Sequence, residues 1–304
     1  MSPAKIKIHI WLYLDGKMGH EKQCESLVNA LAKLIEVKIY RIKPYNFYKK
    51  IFFFLFSWLD KKKSLPRPDF LIGAGHQTHL QLILDKKKYG GQTVLIMRPS
   101  LPIDFFDLCL IPTHDLKKNL ANVIETFGPI NDLKFYKNKQ KNEGLILLGG
   151  ISRHFEWNTE KIIKNIMQIL SENEKINFTI MSSRRTPKNF IPELKSKLAK
   201  PIAIVEPDIS QPKEILNKMK RAQNIWVTED SLSMIYESIS VGAVVNCINL
   251  DIKTKKIRLI TNQLFKNKTI NFFNKKHKNL KFKHLITSEA DRCSKLLIKF
   301  FEIK

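Results

Sequence analysis

The chain of 304 residues lacks the marks of several common chemistries. It has four cysteines, Cys24, Cys109, Cys247 and Cys293, widely spaced and with no CxxC pair. That excludes a disulfide framework and a cysteine zinc site; buried free thiols fit best, and suit a reducing cytosol. No HExxH or Cys/His cluster suggests a metal, so no metal is expected. There is no GxGxxG after a strand, only GxxG at 16–19 and GxG at 73–75, which argues against a dinucleotide oxidoreductase. GxxxxGK[ST] and GxSxG are absent, excluding a P-loop and a hydrolase elbow. No segment reaches the roughly 18 apolar residues a membrane span needs. The start, MSPAKIKIHIWLYL, is positive and then apolar, but Asp-Gly-Lys follows without a small-residue cleavage site. It reads as a first buried strand and not as a signal peptide.

Acidic residues are scarce. Twenty-eight Asp and Glu face 53 Lys and Arg, a formal charge of +25. Such a field favours nucleotides, anionic lipid surfaces or nucleic acid. A solvated lysine surface explains the charge equally well. No zinc finger, RRM signature or helix-turn-helix accompanies it, so no specific nucleic-acid partner is expected. In YNFYKKIFFFLFSWLDKKK, residues 45–63, Phe52, Phe53, Phe54, Phe56 and Trp58 lie between lysines. The run is too short to span a bilayer. It suits an interfacial helix at a membrane surface, or a core helix with solvated ends.

A hydrophobic content of 43% supports a full core, and the length allows two domains. Strand-like and helix-like stretches alternate along both halves. Strands are expected at 6–14, 37–42, 69–75, 93–97 and 106–112, with helices at 19–34 and near 79–88. The polar, lysine-rich stretch 135–144 marks the boundary. The rhythm then resumes, with a strand at 144–150 and an Asn-capped helix at 158–172. A strand at 176–183 and a helix at 187–198 follow. The last helix, 288–303, opens with a serine cap. The fold class is α/β, with two Rossmann-like doubly wound domains facing a cleft. The N-terminal domain is expected over 1–138 and the C-terminal domain over 144–287, with the helix 288–304 packing back on the first.

In such a fold ligands sit where strands give way to helices. Five loops there carry glycines and polar groups. They hold Asp15, Gly16, Lys17, Gly19 and His20; Gly75, His76 and Thr78; Gly149, Gly150, Ser152, Arg153 and His154; Ser182, Ser183, Arg184 and Arg185; and Thr228, Asp230, Ser231 and Ser233. Taken singly, each reads as a turn or a cap. Together they suit an anion site: glycines admit close approach, helix N-termini offer free N–H groups, and arginines grip phosphate. Asp230, Ser231 or Ser233 can cap the helix beginning near 231. Glu237, about one and a half turns further on, reads from spacing alone as an exposed helical glutamate.

Six ordered motifs carry a family resemblance: DGKMGHEKQ, FLIGAGHQTH, FDLCLIPTHD, LLGGISRHFEW, TIMSSRRTP and VTEDSLSMIYESISVGAVV. Over about residues 8–250 the chain resembles the mitochondrial fission "elongated mitochondria" protein family, which is itself similar to GT-B glycosyltransferases. The resemblance implies two Rossmann-like domains and a nucleotide-sugar bound chiefly by the C-terminal one, with no catalytic metal and no cofactor. SMIYE is similar to the serine-to-glutamate helix of the peptidoglycan UDP-N-acetylglucosamine transferase, which implies a ribose-binding role for Glu237. GKMGH resembles that enzyme's glycine loop and implies that Gly16, Gly19 and His20 line the cleft.

The expected activity is therefore metal-independent glycosyl transfer from a nucleotide-sugar to an envelope or lipid-linked acceptor. His20 is the leading general base, with Asp15 and His76 as alternatives. Arg153, Arg184 and Arg185 would neutralise the diphosphate; Thr228, Ser231 and Ser233 would donate to it. The expected location is the cytoplasm, at the inner face of the membrane. The alternative is a non-catalytic adaptor on the same scaffold that recruits a partner protein to membranes.

Overall fold

The computed structural model describes residues 7–44, 61–116, 120–207, 212–277, 280 and 287–303. The aromatic run Phe52, Phe53, Phe54, Phe56 and Trp58 lies outside them. The chain forms two compact units, Met1–Asp132 with Thr287–Lys304, and Leu133–Ile286.

Unit 1 is built on β1 (Ile8–Tyr13), β2 (Val37–Ile42), β3 (Phe70–Ala74), β4 (Gln92–Ile96), β5 (Leu108–Pro112) and β6 (Val123–Thr126). They form one sheet in the order β2-β1-β3-β4-β5-β6, every pair parallel. The helices α1 (Met18–Leu31) and α2 (His76–Tyr89) supply crossovers, as parallel pairing requires. Alternate residues of β1 feed opposite faces. Ile10 and Leu12 join Leu27, Val28, Ile72 and Leu110 on one side, while Trp11 and Tyr13 join Leu71, Leu82 and Leu95 on the other. Burial on both faces explains why the strand reads as one apolar run.

The last helix, α8 (Glu289–Phe300), returns to unit 1 and packs Ala290, Cys293 and Leu297 into the α1 side of the core. Its start is capped by Ser288, whose hydroxyl accepts from the Asp291 amide at 3.1 Å. The buried Glu289 accepts from the Phe127 amide at 2.8 Å and pairs with Arg292. All four cysteines are free and buried, and burial pushes each thiol up.

In unit 2, β7 (Gln140–Leu147), α3 (Thr159–Glu172), β9 (Asn177–Met181), α4 (Phe190–Lys197) and β10 (Ala203–Val205) lead to α5 (Pro212–Arg221) and β11 (Ala222–Thr228). Next come α6 (Leu232–Ser240), β12 (Val244–Ile248), α7 (Lys255–Lys266) and β14 (Asn271–Phe272). The strand order is β10-β9-β7-β11-β12-β14, again parallel. Two short strands, β8 (Phe155–Glu156) and β13 (Asp251–Ile252), pair antiparallel beside it.

The division falls at 132/133, a few residues before the polar stretch read as a boundary. Phe135 explains this: it lies against Gly242, where a Cβ would overlap its ring, and the Tyr136 amide bonds the Val241 carbonyl. Half of the supposed linker is strand, since β7 starts at Gln140 with exposed polar residues before its apolar end.

Candidate functional site

The C-terminal ends of β7, β9 and β11 in unit 2 are tied into one polar knot. The Gly149 amide donates to Thr228 Oγ1 at 2.7 Å. The Gly149 carbonyl accepts from Ser183 Oγ at 2.5 Å and from Thr186 Oγ1 at 2.6 Å. The Gly150 amide donates to Asp230 Oδ2 at 2.9 Å, and Arg185 Nη1 pairs with the same oxygen at 2.8 Å. A Cβ on Gly149 would overlap the Asp230 carboxylate, and one on Gly150 the backbone of Arg185. The two glycines exist so that these loops can touch.

This corrects several sequence expectations. Gly149 and Gly150 have their amides occupied, so neither offers a free donor to an anion. Thr228 is fully buried and acts as an internal acceptor for Gly149. Asp230 does not cap α6. Its side chain is wholly buried, and burial pushes its carboxyl upward against the opposing pull of Arg185, the Gly150 amide and Thr228. Asp230 Oδ1 is buried without a hydrogen-bond partner. Arg185 has part of its charge neutralised by that carboxylate, and Nη1 also meets the Gly150 and Ile151 carbonyls. Ser183 is committed to Gly149.

Arg153, Arg184, Arg185 and Ser233 are exposed. Ser182 is half-buried, with its amide on the Val205 carbonyl. Ser231 is the buried N-cap residue of α6, but its side chain makes no capping bond. The first turn of α6 therefore carries no side-chain cap and no acid. Glu237 is half-buried about one turn beyond Ser233.

The loop after β7 is fixed by the β8–β13 pair. Ser152 Oγ accepts from the His154 and Phe155 amides at 3.3 and 3.2 Å. His154 Nδ1 meets Thr254 Oγ1 at 2.6 Å, and its carbonyl accepts from the Lys253 and Thr254 amides. Partial burial, then Arg153 and Lys256, hold the His154 imidazole below its usual range. Arg153 donates to His154 Nε2 at 3.1 Å. His154 thus bridges two loops.

Sequence reasoning missed the buttress beneath this knot. Glu229 is fully buried and takes a two-pronged pair from Arg258, at 2.5 and 2.7 Å, plus Thr261 Oγ1 at 2.6 Å. Arg258 and Thr261 lie on α7, far along the chain, and only tertiary structure brings them to Glu229. An acid directly after an apolar strand was the available signal.

In unit 1, the ends of β1 and β3 bring Asp15, His20 and Gly75 together. His20 Nδ1 meets Asp15 Oδ2 at 2.8 Å, with the Asp15 side chain wholly buried. An ionised carboxylate only accepts, so a neutral imidazole here carries its proton on Nδ1 and presents Nε2 as an acceptor. Asp15 therefore orients His20 and is too enclosed to serve as an alternative base. Gly75 has φ +81°, and a Cβ there would overlap the His20 ring, so only glycine lets the two loops meet. Gly16, at φ +82°, donates its amide to Glu21, while exposed Lys17 bonds Asp15 Oδ1 through its amide. The Gly19 carbonyl accepts from Gln23. Thr78 is fully buried, with its hydroxyl on the Gly75 carbonyl, so it lines no ligand surface. His76 is exposed and bonds Ser100 Oγ at 2.7 Å.

Among the described residues no group of three or more His, Cys, Asp or Glu could hold a metal, and no helix is long and apolar enough to cross a membrane.

Two parallel α/β units of this kind define the GT-B class, and whole-chain comparison agrees. The chain is similar to the UDP-GlcNAc 2-epimerase of Methanocaldococcus jannaschii (TM-score 0.60, 17% identity, 97% of this chain and 100% of that one). It is similar to the Neisseria meningitidis UDP-GlcNAc 2-epimerase bound to UDP-GlcNAc (0.59, 12%, 98% and 100%). It is similar also to Acinetobacter baumannii MurG (0.57, 10%, 98% and 100%). At such identities the likeness shows the fold. The chain itself belongs to the mitochondrial fission ELM1 family, whose model matches residues 18–301. A curated relative is the uncharacterized protein RP120 of Rickettsia prowazekii (strain Madrid E), 25% identical over 294 residues, covering 77% of this chain and 81% of that one.

Proposed function

We propose that the protein transfers a sugar from a nucleotide-sugar to a hydroxyl acceptor without a metal. The carrying observation is the first turn of α6, which has no side-chain cap, beside loops tied to one another by hydrogen bonds. Free N–H groups at the positive end of a helix favour a diphosphate. Arg153 and Arg184 add charge, Ser233 adds a hydroxyl, and Glu237 receives the ribose hydroxyls. The UDP-GlcNAc in the Neisseria structure supports this ligand class. In unit 1 the oriented His20 takes the acceptor proton, giving an inverting displacement. The positive charge and the aromatic run at 52–58 favour a lipid-linked or envelope acceptor at the cytoplasmic face of a membrane.

A thermal-shift panel of nucleoside diphosphates and nucleotide-sugars tests the reading. A donor at a hundred times its Kd stabilises by about 2.7 kcal/mol, which corresponds to roughly 5–10 °C at this size. Glu237→Ala should weaken calorimetric binding while leaving the melting curve of the free protein unchanged. Equal affinity in both proteins defeats the ribose assignment.

One observation favours a second reading, a non-catalytic adaptor that recruits a protein partner. The amides of Gly149 and Gly150 and part of the charge of Arg185 are consumed internally. A panel with no nucleotide effect supports that reading.

A further inference from the structure

A second imidazole group begins one residue after Gly75, the glycine that meets the His20 ring. His76 Nδ1 and His79 Nδ1 both approach Ser100 Oγ, at 2.7 and 3.4 Å. The two rings lie edge to face, 5.5 Å apart. One hydroxyl has one proton, so it donates to a single imidazole nitrogen and accepts from the other. Hydroxyl donors make the shorter hydrogen bonds, so the 2.7 Å contact is assigned as the hydroxyl's donation to His76, with buried His79 donating to Ser100 from Nδ1. Neutral His76 then carries its proton on Nε2, the reverse of His20.

The backbone is strained just before Ser100. Met97, at the end of β4, has φ +77°, a left-handed conformation that is costly for a side chain of its size. Its amide bonds the Leu110 carbonyl, and Arg98 Nη1 holds the Asp115 carbonyl at 2.7 Å. Met97 and Arg98 lie in the turn that leads to Ser100, whose hydroxyl meets His76 at the start of α2. His76 thus follows directly on the glycine against which the His20 ring packs, so both imidazoles belong to the strand ends of unit 1.

We propose that His20 and His76 form an acid–base pair in opposite tautomers that takes a single polyhydroxyl acceptor, with Ser100 as the positioning residue for His76. His20 Nε2 receives the proton of the attacking hydroxyl. That oxygen bonds the anomeric carbon, whose bond to the diphosphate breaks, and the electron pair leaves with the diphosphate. His76 Nε2–H donates to a neighbouring oxygen of the same acceptor and fixes its orientation. The role of the acceptor rests on the glycosyl-transfer reading; the tautomers rest on unit 1 alone.

Long-range 1H–15N spectra of the full chain, labelled at histidine and taken at about pH 8, above the ordinary imidazole range, read the tautomers directly. His20→Gln and His76→Gln assign the signals. The expected result is Nδ1–H for His20 and Nε2–H for His76. Ser100→Ala should turn His76 into a mixture of tautomers, and Ser100→Thr should restore the single form. The same tautomer at both rings, or a His76 unmoved by Ser100→Ala, overturns the pair while leaving donor binding untouched. A nucleotide panel without effect removes the glycosyl-transfer reading and, with it, the acceptor role, while the tautomers can still be as assigned.

Discussion

Removing Arg258 should unfold unit 2 far more easily than its partial exposure suggests. Glu229 sits between Thr228 and Asp230, with no exposed surface, and three of its contacts come from Arg258 and Thr261. Arg258→Met leaves a buried carboxylate with one hydroxyl donor. Breaking a buried pair from one side costs about 3–5 kcal/mol, because the remaining charge is uncompensated. At about 2–4 °C per kcal/mol for a unit of this size, the melting point falls by roughly 6–20 °C. Replacing both partners, as Glu229→Met with Arg258→Met, removes the stranded charge and should recover most of that loss. Scanning calorimetry of the two single variants and the double variant gives the coupling directly. If Arg258→Met moves the transition by less than about 2 °C, or the double variant loses as much as the two singles together, the pair is not the buttress described above.

The remaining predictions concern the loops. Gly149→Ala should cost about 1–3 kcal/mol from overpacking against Asp230, read as a lower melting point; an unchanged melt refutes the close approach. Gly75→Ala adds a Cβ at φ +81° against the His20 ring; it should shift the His20 imidazole signals, and spectra identical to wild type refute the contact. Burial, partly offset by Arg185 and the Gly150 amide, holds the Asp230 carboxyl above its unfolded range. The stability it contributes is complete below about pH 4, the unfolded value, and is lost as pH rises through the folded value. The melting point of Asp230→Asn minus that of wild type should therefore climb across that window and then level off. A difference that shrinks with rising pH has the wrong sign for a raised carboxyl.

Much of this fold is legible in the residues. The pattern of 37–42 alone marks β2, and the Asn158 and Ser288 caps identify the starts of α3 and α8 because the capping bond is local. Parallel strands buried on both faces announce themselves as apolar runs. The site was legible only in part. Position after a strand marks a loop, but it does not say which of its polar groups face inward. Thr228, Ser183 and Asp230 are spent on joining three loops whose partners lie about 34 to 80 residues away. Glu229 needs Arg258, and His76 needs Ser100; neither spacing follows a helix or strand period, so no periodic pattern could announce it.

The return of α8 to unit 1 has a consequence for synthesis. The first sheet leaves the ribosome early, yet the face of its core that takes Ala290, Cys293 and Leu297 stays uncovered until the whole intervening unit has been made. Unit 2 can condense from one continuous stretch of chain. Unit 1 closes last, so a nascent chain stalled before residue 289 exposes apolar surface on its older half and is the natural client of a chaperone.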